Sequence, residues 1–124
     1  MAPIRVLVCD DVQAFRALMR YTLEEDPGIE VVGEAADGIA AISAAERLQP
    51  DVVLLDLTMP ILDGIDAIAG VLERAPGTRV VALSGWGAER MAAAALAQGA
   101  VAYLEKTDDV QAIRAAVHAA AAAR

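Results

Sequence analysis

Apolar residues along the chain fall into two alternating patterns. Short runs rich in β-branched residues, at positions 4–9, 29–34, 51–55, 79–83 and 101–104, are separated by longer segments of helical period. The third and fourth runs are almost continuously apolar, as expected of central strands covered on both faces. In the first helical segment, Phe15, Leu18, Met19, Thr22 and Leu23 keep the i, i+3, i+4, i+7, i+8 spacing of one buried stripe. Further helices are expected over 39–48, 66–74, 88–98 and 110–123. Strands alternating with helices in this way imply an α/β fold, a doubly wound five-stranded parallel sheet with helices on both faces.

Punctuation agrees with these elements. Pro27-Gly28, Pro50 and Pro76-Gly77 fall where the first three helices should stop, and Gly99 stands just past the fourth, where a left-handed cap is commonest. The end of the chain, 119–124, is Ala-rich and reads as the solvated end of the fifth helix or the start of a linker.

Length allows one domain, 1–124. Of its residues 57% are apolar but only 3% aromatic, and about a quarter are Ala, so much of the hydrophobicity is helix propensity. With 18 acidic against 10 basic residues the formal charge is −8, which argues against direct nucleic-acid binding by this domain. No apolar run reaches the roughly 18–20 residues of a membrane span. The single cysteine, Cys9, has no partner within the chain and reads as a small core residue; with no signal-like start, a cytoplasmic setting is expected.

In open α/β sheets the ligand site lies beyond the carboxyl ends of the strands. Asp10 and Asp11 follow the first strand, Asp56 the third, Ser84 the fourth, and Glu105, Lys106 and Thr107 the fifth. Converging carboxylates repel unless one is protonated or a cation neutralises them, and oxygen ligands without His or Cys favour a hard ion such as Mg²⁺. An Asp beside such an ion is a competent nucleophile toward a phosphoryl group, and an ammonium adds charge stabilisation. Taken singly, Asp11 would suit the N-cap of the first helix, Ser84 a turn and Lys106 the surface. An aspartate-nucleophile phosphatase of the haloacid dehalogenase type would need a second Asp where Thr58 stands, and a nucleotide-binding domain would want a phosphate cradle where the two acids are.

The segments Val8-Cys9-Asp10-Asp11, Leu54-Leu55-Asp56-Leu57-Thr58-Met59-Pro60, Leu83-Ser84-Gly85 and Tyr103-Leu104-Glu105-Lys106 together resemble the receiver domain of bacterial two-component response regulators, a CheY-like, flavodoxin-like (βα)5 fold of strand order 2-1-3-4-5. The stretch 31–38 is similar to receivers of the NarL type. The resemblance implies that Asp56 is the phosphoacceptor and that Mg²⁺ is bound by Asp11, Asp56 and the Thr58 carbonyl, with Asp10 acting through water. It implies that Lys106 pairs with the acceptor and then the phosphoryl group, and that Ser84 and Tyr103 switch the face made by the fourth helix, fifth strand and fifth helix. It also implies a sensor histidine kinase as partner and a homodimer on phosphorylation. The output would be transcription through a helix-turn-helix domain outside this chain, or, as the alternative, protein–protein interaction or phosphorelay by a stand-alone receiver. Such a protein is not a conventional enzyme, though it catalyses its own phosphorylation and slow dephosphorylation.

Two departures from the family pattern stand out. Thr107 replaces the usual Pro after Lys106, which disfavours a cis bond there. Trp86, two residues beyond Ser84, is expected beside the path of hydrolytic water, where it would shield the aspartyl-phosphate together with Thr58. The Ala-rich fourth helix is expected to pack loosely, and His118 to be a surface residue.

Overall fold

The computed structural model describes residues 2–59, 61–85 and 90–123. Ten elements alternate: β1 (Ile4–Cys9), α1 (Gln13–Glu24), β2 (Ile29–Ala35), α2 (Gly38–Leu48), β3 (Val52–Asp56), α3 (Gly64–Arg74), β4 (Arg79–Ser84), α4 (Arg90–Ala97), β5 (Ala102–Glu105) and α5 (Val110–Ala122). The strands form one parallel sheet, as the alternating pattern predicts, in the order β2-β1-β3-β4-β5 that the family resemblance implies. All of β3 and all of β4 beyond Arg79 are buried.

Side-chain alternation sorts the core into two layers. Leu7, Val53, Leu55, Val80 and Ala82 face α2 and α3, where Ala41, Ala45, Ile68 and Val71 are buried against them. Val6, Val8, Val52, Leu54, Val81 and Leu83 face α1 and α5 through Met19, Leu23, Ile113, Val117 and Ala120. The buried stripe of α1 is narrower than its periodicity suggests: Leu18 is 51% exposed, because α1 lies on the rim of the sheet over β1 and β2 rather than over its centre. Ala95 is the one fully buried side chain among those described in α4, in keeping with a lightly packed helix.

Helix ends differ in chemistry. Asp37, Asp63 and Asp109 cap α2, α3 and α5 by accepting hydrogen bonds from Ala40, Asp66 and Ala112 backbone N–H groups at 2.8, 3.0 and 2.9 Å. Asp11 does not cap α1: Val12 occupies that position with no side-chain bond. The turn out of α2 is made by Gln49, at φ 48°, just ahead of Pro50. Gly99 takes φ 115° after α4 as its position predicts, and a Cβ there would press on Leu72. The Ala-rich end continues α5 to Ala122, with Ala120 buried on the sheet. Trp86 and the first two residues of the expected fourth helix, 88–89, lie outside the described residues.

Candidate functional site

The same alternation that divides the core aims the polar residues at the carboxyl edge. Continuing Val6, Val8 and Val52, Leu54 by two places gives Asp10 and Asp56, and continuing Leu104 gives Lys106, so all three share the side occupied by α1 and α5. Ser84 follows Val80 and Ala82 on the opposite side, where Tyr103 also packs. Sheet-like hydrogen bonds extend past the strand ends, from Asp10 N–H to Ala35 C=O at 2.9 Å and from Lys106 N–H to Ser84 C=O at 2.8 Å, which keeps that aim.

Asp10, Asp11 and Asp56 each present a carboxylate oxygen, and these oxygens lie within 4.8 Å of one another. Asp10 and Asp56 have no exposed surface, whereas Asp11 is exposed. Asp56 Oδ1 accepts from the Thr58 backbone N–H and hydroxyl, both at 3.0 Å, and Asp56 Oδ2 from Lys106 Nζ at 3.2 Å. Lys106 Nζ also lies 2.5 Å from Asp10 Oδ2, an ion pair without hydrogen-bond alignment, while Asp10 Oδ1 accepts from Val12 N–H at 2.8 Å. One ammonium therefore serves two buried carboxylates, with a third nearby.

The charges answer to this crowding. Burial pushes the Asp10 carboxyl above its usual range; Lys106 and the Val12 N–H oppose that shift, and the Asp56 charge reinforces it. Burial works against the Lys106 ammonium, but the close contact with Asp10 and the charges of Asp56 and Asp10 outweigh it and hold Lys106 above the usual lysine range. An oxygen-only cluster of excess negative charge with a buried, incompletely bonded oxygen suits a hard divalent cation.

The other expected residues stand close by. Ser84 is buried at the end of β4 and donates to Gly85 C=O at 3.1 Å. Tyr103 is half-buried, and its buried hydroxyl has no hydrogen-bond partner among the described residues. The Lys106–Thr107 bond is trans. Cys9 is buried in the core, and burial pushes its thiol far above the normal range. His118 stays away from the cluster on α5, paired with Asp26 at 2.7 Å.

Three contributors escape inspection of the chain. Arg16 donates to Asp10 C=O at 2.6 Å and pairs through Nε with Glu34 at 3.0 Å, holding the β1–α1 loop to β2. Phe15, on the stripe read as core, places its ring 4.8 Å from Lys106 Nζ. Only the Arg and Glu signs hint at the first link, and nothing local hints at the second.

Over residues 6–118 the sequence matches the response regulator receiver domain family. The chain belongs to that family. This receiver is 44% identical over 107 residues to a protein-glutamate methylesterase/protein-glutamine glutaminase of Myxococcus xanthus, covering 86% of the chain and 31% of the relative. It is 37% identical over 100 residues to the transcriptional regulatory protein YhcZ of Bacillus subtilis, 81% of the chain and 47% of that protein. The receiver thus spans about a third to a half of the length of these curated relatives. The signal receiver domain of NarL from Mycobacterium tuberculosis superposes with a TM-score of 0.93 at 36% identity, over 100% of both chains.

Proposed function

We propose that this receiver accepts a phosphoryl group on Asp56 from the phosphohistidine of a sensor kinase or from a small acyl phosphate. A carboxylate oxygen of Asp56 forms the new O–P bond as the donor's P–N or P–O bond breaks and its electron pair leaves with the donor. The observation that carries this reading is a fully buried carboxylate at a strand end, sharing one ammonium with Asp10 and lying within 4.8 Å of oxygens of both Asp10 and Asp11.

The donor set fits Mg²⁺. Asp11 and Asp56, with the Thr58 carbonyl, would hold it, and Asp10 would act through water; bound there, it offsets charge on the transferring group. The chain's own residues do the rest. Thr58 orients the Asp56 carboxylate, and Lys106 follows the charge from carboxylate to phosphoryl oxygen. Ser84, buried at the β4 end, hydrogen-bonds the new phosphoryl group, and Tyr103 moves with it, biasing the α4–β5–α5 face between two arrangements.

That face then engages an output, with a homodimer on phosphorylation as the expected assembly. Likeness to a NarL receiver favours a helix-turn-helix output, and because the Ala-rich end is helical to Ala122, any linker to it lies beyond α5; any DNA contact then belongs to the output domain. A stand-alone receiver signalling by protein contact or phosphorelay is the alternative. Among the described residues no helix is long and apolar enough to cross a membrane. The family's work with histidine kinases supports a cytoplasmic setting, where the receiver would meet its kinase partner.

Labelling with acetyl phosphate and Mg²⁺ tests the central claim. Wild type should gain one phosphoryl group and Asp56→Asn none; labelling that persists in Asp56→Asn moves the acceptor elsewhere.

A further inference from the structure

The Lys106 ammonium has three neighbours of different kinds. Two are carboxylates, Asp10 Oδ2 at 2.5 Å and Asp56 Oδ2 at 3.2 Å. The third is the Phe15 ring, whose centroid lies 4.8 Å from Nζ, inside the roughly 6 Å over which a cation is drawn to an aromatic face. Lys106 keeps only 20% of its side chain exposed, so the ring acts where water is scarce.

The ring is held by what surrounds it. Phe15 belongs to the first turn of α1, its N–H bonded to Val12 C=O at 3.1 Å, and its side chain packs against the core layer that contains Val6, Val8 and Leu83. The next residue, Arg16, grips the carbonyl of Asp10 at 2.6 Å. One helical turn therefore fixes both the acidic loop and the aromatic face beneath the ammonium.

We propose that Phe15 is a positioning residue for phosphoryl transfer, its ring face helping to hold the Lys106 ammonium within reach of both the Asp10 and the Asp56 carboxylates. The inference rests on the proposed phosphoryl acceptance by Asp56. A ring face attracts the positive charge without fixing the direction of any N–H. Lys106 can therefore turn its donors from the Asp56 carboxylate to incoming phosphoryl oxygens without losing this partner. An aliphatic side chain of similar bulk would fill the space but supply no such attraction, leaving the ammonium less firmly held beside the two carboxylates.

The test keeps shape and removes the attraction. Phe15 is replaced by pentafluorophenylalanine, whose ring has a reversed charge distribution, and by Leu and Tyr, and Asp56 labelling by acetyl phosphate with Mg²⁺ is timed. The pentafluoro analogue and Phe15→Leu should label roughly three- to tenfold more slowly than wild type, and Phe15→Tyr close to wild type. A pentafluoro analogue that labels at the wild-type rate overturns the proposal while leaving Asp56 as acceptor. A wild-type chain that takes no label on Asp56 overturns the proposed function instead. NMR then judges the contact independently: the Lys106 ε-methylene protons should be shifted upfield by the ring in wild type and return to their ordinary position in Phe15→Leu. Ordinary positions in wild type overturn the contact itself.

Discussion

The two ends of the sheet treat polar groups in opposite ways. At the amino edge every polar side chain discussed finds a backbone partner. Asp51 Oδ2 accepts from Arg5 N–H at 2.9 Å, Arg5 donates to Gln49 C=O at 2.9 Å, and buried Thr78 donates to Pro50 C=O at 2.6 Å. At the carboxyl edge two buried carboxylates share one lysine, and a third lies within reach. Both ends are built from strand termini of one sheet, so the difference is not architectural. The amino edge satisfies its polar groups and stabilises the fold, whereas the carboxyl edge keeps charge in reserve for a cation and a phosphoryl group at a cost in stability.

Substitutions at the two ends should accordingly have opposite signs. The largest effect is expected at the amino edge. Thr78→Val removes the donor to Pro50 C=O in a site only 2% exposed and should cost about 1–3 kcal/mol by denaturant unfolding, with Asp56 labelling unchanged. At the carboxyl edge, Asp10→Asn keeps an oxygen for the Val12 N–H and removes a charge. The raised Asp10 carboxyl binds its proton more tightly folded than unfolded, so its ionised form costs stability above that range and the cost fades as pH falls into it. Asp10→Asn should therefore raise the Tm at neutral pH without divalent cation, by less than Thr78→Val lowers it, and the gain should shrink in acid. Mg²⁺ should stabilise wild type by about 1.4 kcal/mol at ten times its Kd, and Asp10→Asn less. A variant destabilised at neutral pH would show that Asp10 is structural, like Asp51.

How much of this contrast is legible in the chain follows from the range of each interaction. The strands and the acids at their ends are carried by local runs: Leu54-Leu55-Asp56 reads as a buried strand meeting a site because four apolar residues directly precede the Asp. The parity that sends Asp10, Asp56 and Lys106 to one side and Ser84 to the other is equally local, a matter of counting by two. Partnerships across the sheet are not. Lys106 meets Asp56 from 50 residues away and Arg16 meets Glu34 from 18, and only folding brings them together. Periodicity puts Phe15 on the buried stripe, but it specifies which face is inward and not which side chain lies across from it. The same limit explains Leu18, whose spacing is right and whose place on the rim of the sheet leaves it half exposed. Ile61 shows another kind of limit: it holds φ 73° in the loop after Asp56, a conformation its β-branched side chain disfavours and the loop imposes.

The smallest effect belongs to the link between α1 and β2, and it separates support of the site from membership in it. Burial alone would raise the Glu34 carboxyl, but Arg20 and Arg16, bonded to its two oxygens at 3.0 Å each, hold it below its ordinary value of 4.5. A lowered folded value means stability that is present above 4.5 and is lost as pH falls through the folded value. Glu34→Gln should thus be less stable than wild type at pH 7 by no more than about 1 kcal/mol, and the two melting curves should converge in acid. Glu34 touches none of the three clustered carboxylates, and Arg16 keeps its own bond to Asp10 C=O. Labelling of Asp56 should therefore stay at the wild-type rate. A marked slowing would extend the charged carboxyl edge one layer outward, because the Asp10–Asp11 loop would then need Glu34 to hold Arg16 in place.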